Sequence, residues 1–222
     1  MIHDGIAIVA GEDNYYFTDV FSDTVVLNLC SGTQLMDYKE HIRSFQKDNF
    51  TCSSLLDICS KEYEEPGRIM MEGNGKKIPH FIMQYRETDW EFIKRLAAMN
   101  RTVIFAECST QGEKYHFGIP DRKFNLEETL CEYRTRYDMQ EYWYKKDRGL
   151  SIHTEDTCRT YGRVERLLNL GERRSMDGRE VFIWNIESSL KGNELYHTCY
   201  MKTCSGFQTA SYNNKNMAGS LY

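Results

Sequence analysis

Short apolar or aromatic runs recur along this 222-residue chain, at 6–9, 15–17, 25–30, 81–85, 103–106, 115–117, 142–144 and 181–186. Runs of this length, rich in Tyr, Phe, Val and Ile, suit one pleated face of a strand better than a helix. The composition agrees, with 15 Tyr, 11 Phe and 3 Trp but only 3 Pro. Turn chemistry separates several of the runs. Gly73-Asn74-Gly75 lies between apolar residues 69–71 and 81–85, and Asp177-Gly178 precedes 181–186. Asn-Gly and Asp-Gly supply the positive φ angles of tight hairpins. A largely antiparallel, strand-dominated architecture follows.

Two segments depart from this pattern with a helical period. The first covers about 51–63, with Cys52, Leu55, Leu56, Cys59 and Tyr63 on one face, Asn49 or Thr51 as its cap and Pro66-Gly67 beyond its end. The second covers about 88–99, where Thr88 and Glu91 have the spacing of a capping box and Asp89 complements the positive end of the helix dipole. At 100° per residue, Trp90, Phe92, Ile93, Leu96, Ala97 and Met99 fill one half of its circumference, leaving Glu91, Lys94 and Arg95 for the other. The expected fold class is therefore α+β and strand-dominated, with antiparallel sheets and two amphipathic helices. The expected division places residues 1–125, with both helices, in one region. Residues 126–222 form a second β-rich region ending in a flexible tail.

Composition and motifs exclude more than they suggest. Lys and Arg number 28 against 33 Asp and Glu, a net charge of −5 without basic clusters, which argues against nucleic acid as a partner. The apolar runs are far shorter than the roughly 18 residues a membrane-spanning helix needs, and the first residues lack the features of a secretory signal. Synthesis in the cytoplasm, with the eight cysteines mostly reduced, is the expectation. His197, Cys199 and Cys204, with His153 and Cys158 nearby, are the most metal-like residues, but structural zinc favours tighter repeated pairs. Glu64-Glu65 and Glu127-Glu128 read as solvated charge. Gly73-Asn74-Gly75 leads into a strand and so lacks the helix a phosphate loop requires. No catalytic residue, metal or cofactor is assigned.

The segment Gln84-Tyr85-Arg86-Glu87-Thr88-Asp89-Trp90-Glu91-Phe92-Ile93-Lys94-Arg95-Leu96-Ala97 resembles a stretch of the baseplate hub and spike proteins of contractile injection systems. That family includes the VgrG-type proteins of type VI secretion and the late control protein D-like hubs of contractile phage tails. Ser31-Gly32-Thr33-Gln34-Leu35-Met36-Asp37 and Arg43-Ser44-Phe45-Gln46 resemble the family's approach to this motif, and Tyr115-His116-Phe117-Gly118 a strand that follows it. The likeness covers about residues 25–120.

The resemblance implies barrel-like antiparallel sheets and a non-enzymatic hub linking tail tube to spike, assembled as a homotrimer into a virion baseplate or injection apparatus. Its partners would be the tube protein and a spike domain. The motif residues Gln84, Tyr85, Glu87, Thr88, Asp89, Trp90, Phe92, Arg95 and Leu96 would then be structural, with Glu91, Lys94 and Arg95 offered to a neighbouring chain. The chain resembles the family from partway into its first domain and stops where a spike domain would follow. The alternative is a β-rich carbohydrate- or receptor-binding module with Tyr142-Trp143-Tyr144 as its platform. A hydrolase using Cys199, Cys204 and His197 finds no supporting motif.

Overall fold

The strand-dominated α+β class is what the chain adopts. The computed structural model describes residues 8–9, 15–17, 25–27, 29–46, 50–78, 81–123, 131–164, 168–176 and 178–212. Within these, the strands are β1 (Ile8–Val9), β2 (Tyr15–Phe17), β3 (Val25–Leu27), β4 (Leu29–Cys30), β5 (Glu40–Phe45), β6 (Gly67–Met70), β7 (Ile82–Thr88) and β8 (Ile104–Ala106). They continue as β9 (Lys114–Phe117), β10 (Arg122–Lys123), β11 (Cys131–Tyr137), β12 (Cys158–Val164), β13 (Glu172–Met176), β14 (Arg179–Lys191) and β15 (Glu194–Thr203). The α-helices are α1 (Cys52–Ser60), α2 (Asp89–Met99) and α3 (Met139–Lys146). The chain divides into two compact units. One holds the described residues up to Leu96 together with Ala106–His116, the other Ala97–Phe105 together with Phe117–Tyr212.

In the first unit β1 pairs with β4, β2 with β3 and β5 with β7, all antiparallel, and β6 lies beside β9. Helix α1 starts as its sequence dictates. The Thr51 hydroxyl accepts from the Ser54 amide at 3.1 Å and the Ser54 hydroxyl accepts from the Thr51 amide at 2.9 Å. Asn49, the other cap candidate, lies outside the described residues. The helix stops at Ser60 rather than continuing to 63, and Tyr63 beyond it turns its hydroxyl to Asp89. Cys52, Leu55, Leu56 and Cys59 are fully buried, and Phe45 of β5 packs between Phe50, edge-on at 5.6 Å, and Phe92 of α2, stacked at 5.7 Å.

Strand β7 carries an irregularity that matters for the site. Its register against β5 shifts between His41 and Ile42, so that Glu87 pairs with His41 and Tyr85 with Ile42, and Arg86 between them has φ 45°. Strict alternation would turn Gln84 and Glu87 to opposite faces; the bulge resets the phase and both are buried. A left-handed backbone strains any residue with a Cβ. Arg86→Ile is therefore expected to cost about 1–2 kcal/mol, whereas Arg86→Gly is expected to stay within about 1 kcal/mol of the parent. Parallel denaturant melts of the two variants check this, and equal losses would remove the bulge from the account.

The glycine turn at 73–75 forms without making a hairpin. Gly73 and Gly75 have φ 70° and 75°, and the Lys76 amide donates to the Gly73 carbonyl at 3.1 Å. Yet β6 takes β9 as its neighbour and β7 takes β5. Turn chemistry reverses the chain; it does not choose the strand's partner.

The second unit is built on a six-stranded sheet in the order β10-β13-β14-β15-β12-β11, antiparallel except for β10 against β13. Two tight turns organise it. Met176 pairs with Arg179 and Gly178 has φ 75°, while Lys191 pairs with Glu194 and Gly192 has φ 61°. Asp177, the partner of Gly178 in the turn expectation, lies outside the described residues. Val181, Ile183, Cys199, Met201, Val164 and Leu168 form one buried cluster, and Phe182 joins Phe105 and Phe207 in another. The sheet does not close. Its end strands, β10 and β11, have no partner strand beyond them among the described residues, so the expected barrel-like closure is corrected to an open sheet.

Residues 142–144 are also corrected, from a strand-like aromatic run to part of α3, a third helix beyond the two expected. Three consecutive aromatics fit either period; the flanking polar residues decide. The Asp138 carboxylate caps the Glu141 amide at 2.9 Å, and Glu141 pairs with Lys145 one turn later at 2.9 Å. Helix α2 ends in a Schellman turn, with the Arg101 amide bonded to Ala98 O at 2.9 Å and Thr102 to Ala97 O at 3.0 Å around a left-handed Arg101. Among the described residues, no helix is long and apolar enough to cross a membrane.

Candidate functional site

The residues of the 84–97 motif converge on a buried polar cluster in the first unit, where β5 and β7 meet the start of α2. At its centre is Asp89, fully buried. Oδ1 accepts from Arg43 Nη1 at 2.6 Å and from Gln84 Nε2 at 3.0 Å, and Oδ2 accepts from the Tyr63 hydroxyl at 3.0 Å. Gln84 also donates to the Glu87 carbonyl at 3.0 Å and accepts from Arg43 Nη1 at 3.2 Å. Arg43 Nη2 reaches Glu62 at 2.9 Å, and Glu62 in turn takes Lys39 at 2.7 Å.

His41 completes the cluster. A guanidinium can only donate, so His41 Nδ1 accepts from Arg43 Nη2 at 2.9 Å and the ring proton sits on Nε2. That nitrogen lies 3.3 Å from Asp89 Oδ2, without hydrogen-bond alignment. Burial pushes His41 below its ordinary pKa of 6.5 despite the nearby Asp89. Burial and Asp89 likewise push up the Tyr63 hydroxyl and the Cys59 thiol. The groups around the carboxylate are thereby held as a cation, a neutral imidazole and a neutral phenol, so that Arg43 balances the charge of the buried Asp89.

A second pair lies beside it. Arg95 Nε and Nη2 grip the Glu87 carboxylate at 2.8 and 2.7 Å, and Nη2 also donates to Met83 O at 2.6 Å. The guanidinium carbon stands 5.0 Å from the Phe92 ring centroid. Arg95 is 6% exposed, which corrects its expected place on the outer face of α2: it cannot be offered to a neighbour. Glu91 and Lys94 are exposed as expected.

The cap is complete. Thr88 Oγ1 accepts from the Glu91 amide at 3.1 Å, Glu91 Oε2 accepts from the Thr88 amide at 3.1 Å, and Thr88 Oγ1 donates to Asp37 at 2.5 Å. Thr88→Ala is expected to cost about 1–2 kcal/mol, read by thermal melting; a loss no larger than that of an exposed serine variant would deny the cap its role. Phe92 and Leu96 are fully buried, whereas Trp90 is only half-buried, its ring edge-on to Tyr115 at 5.7 Å. Tyr85 is also half-buried.

Arg43, His41, Glu62, Tyr63 and Asp37 are the members of this cluster that the chain's local pattern does not mark. Arg43 and Asp37 appear in the upstream part of the family likeness, but nothing in the sequence ties them to Asp89 and Thr88 across more than forty residues. Tyr63 looks like the last apolar residue of a helix, and His41 has no signal at all.

The other candidates are dispersed. His197 Nδ1 bonds to Ser188 Oγ at 2.7 Å, and burial pushes the Cys199 thiol up to about 11, which leaves it protonated and unreactive. Among the described residues no group of three or more His, Cys, Asp or Glu side chains is placed to hold a metal ion. Glu64 and Glu65 are exposed, and Glu127-Glu128 lie outside the described residues.

The fold is similar to that of the 43 kDa tail protein of prophage MuSo2 from Shewanella oneidensis, with a TM-score of 0.58 over 82% of this chain and 71% of that one at 12% identity. The tail protein from Neisseria meningitidis MC58 aligns over 78% of this chain and 73% of that one, with a TM-score of 0.48 and 10% identity. No family model and no curated protein matches the sequence.

Proposed function

We propose that this chain is a structural component of a phage tail, a non-enzymatic hub element that joins the tail tube to a spike. The observation that carries this reading is the fold shared with a prophage tail protein over most of both chains. The motif at 84–97 adds to it. Its polar residues Gln84, Glu87, Asp89 and Arg95 serve one another inside the subunit, as expected of an architectural element rather than a reaction centre. In the hub form three copies assemble, and the face of α2 available to a neighbour is that of Glu91 and Lys94.

Two measurements test this. Gold-labelled antibody against the chain should decorate the baseplate end of isolated tail particles; particles that never take the label would sink the tail assignment. Sedimentation at several concentrations should show a species near 78.6 kDa, three times the 26.2 kDa of the chain. A monomer at every concentration would overturn the trimeric form. Lys94→Glu, at an exposed position outside the cap, should weaken that species without lowering the melting temperature, and an unchanged mass would discharge this face.

A further inference from the structure

We infer that the outer edge of β11 is a docking site for an acidic, extended segment of a partner protein, which adds to the six-stranded sheet as a further strand. This inference stands independently of the tail reading.

Strand β11 ends the sheet order, and among the described residues 134–137 bond to β12 on one side only. In an antiparallel sheet alternate residues turn both N–H and C=O outward, so this edge offers a ready ladder. Arg134, Thr135, Arg136 and Tyr137 are all exposed, on both faces of the strand. Among the described residues the edge is therefore open at 134–137.

Charge selects the occupant. Arg134 and Arg136 share one face and have no carboxylate partner among the described residues. Register places Arg136 directly opposite Arg159 and Arg134 opposite Tyr161. Like charges directly across a sheet are unfavourable, and here the pair is only half relieved, since Asp138 and Glu141 hold Arg159 at 2.7 and 2.8 Å while Arg136 has no acidic partner among the described residues. Arg163, two residues beyond Tyr161 on the same face, leans over Tyr196 at 4.7 Å.

A local excess of guanidinium on a chain of net charge −5 calls for a complementary partner. An incoming strand with Glu or Asp at alternate positions would meet this face with its carboxylates while its backbone completes the ladder. The same arginines repel the β11 edge of a second copy, which keeps the open edge from pairing with itself.

Nucleic acid is disfavoured. The cations are few, and the rings beside them, Tyr161 and Tyr200, lie 6.0 Å apart and tilted at 32° rather than set as a stacking platform.

The test uses the full chain and three synthetic octapeptides: alternating Thr-Glu, alternating Thr-Lys, and the Thr-Glu peptide N-methylated at every second residue. Binding is read by fluorescence anisotropy at two salt concentrations and by amide shifts at 134–137. The Thr-Glu peptide should bind and move those amides, and both other peptides should fail. Arg134→Glu with Arg136→Glu, both exposed, should leave the melting temperature unchanged and weaken binding by about tenfold. Four results would overturn the inference: no binding of the Thr-Glu peptide, equal binding of its N-methylated form, indifference to the double variant, or tighter binding of an oligothymidine that moves the same amides.

Discussion

Asp89→Ala is expected to lower the unfolding free energy by about 3–5 kcal/mol, the range for removing one partner of a buried ion pair. The loss does not come from a single contact. It strands Arg43, whose Nη1 lies 2.6 Å from the carboxylate, and removes the acceptor of both Gln84 and Tyr63. Gln84 is then left fully buried, and Arg43 and Tyr63 partly buried, each with a reduced set of partners, and desolvated polar groups are costly when unpaired. Asp89→Asn keeps the shape but puts an amide where three donors converge, so it should recover only part of the loss. Urea unfolding of the three proteins provides the check. A loss below about 1 kcal/mol for Asp89→Ala would mean that the cluster is solvated and that the motif does not stabilise the subunit through it.

In the second unit the corresponding point is Glu141. Its carboxylate sits among Lys145 at 2.9 Å, Arg159 at 2.8 Å and Lys202 at 3.0 Å. Burial alone would push this carboxyl up, but hydrogen bonds from Arg159, Lys145 and Lys202 outweigh it and hold it at about 2. The sign follows directly. A carboxyl with a lower pKa folded than unfolded contributes stability that is fully present above its ordinary 4.5 and is lost as pH falls from there toward about 2. Glu141→Gln should cost on the order of 3 kcal/mol at neutral pH, because Lys145 stays buried and Lys202 largely so without their anion. The difference between parent and variant should shrink as the pH is lowered through this window. A constant difference from pH 7 to pH 3 would place the carboxylate's contribution elsewhere. Burial lowers the Lys202 pKa against the pull of Glu141, so this lysine is the group most exposed to the loss of its partner.

Capping residues and helical periodicity were sufficient to locate α1 and α2, because a cap is a local device: Thr51 with Ser54 and Thr88 with Glu91 act within one turn. The aromatic run at 142–144 misled for the opposite reason. A run of three apolar residues has no period of its own, and the assignment to α3 rests on Asp138 before it and Glu141 with Lys145 around it. The same sequence held those three residues in view, but their weight is felt only once Arg159 and Lys202 arrive from β12 and β15.

Arg95 is the clearest case at the candidate site. On a helical wheel it belongs with Glu91 and Lys94, and its charge argues for solvent. It is inside because Glu87, eight residues earlier, has been turned inward by the bulge at Arg86, and a buried carboxylate requires a partner. No periodicity rule reveals a bulge at an arginine, since glycine is the residue that normally marks a left-handed position.

By itself, then, the sequence determined the strand-dominated class, the start of both expected helices and the residues of the motif, because propensity, capping and alternation act over a few neighbours. The tertiary structure alone decided which strands pair, that the six-stranded sheet stays open, and that Arg43 and Tyr63 meet Asp89 from 46 and 26 residues away. Those contacts depend on register and on the cost of leaving a buried charge unpaired, and both are settled only when distant segments are brought together.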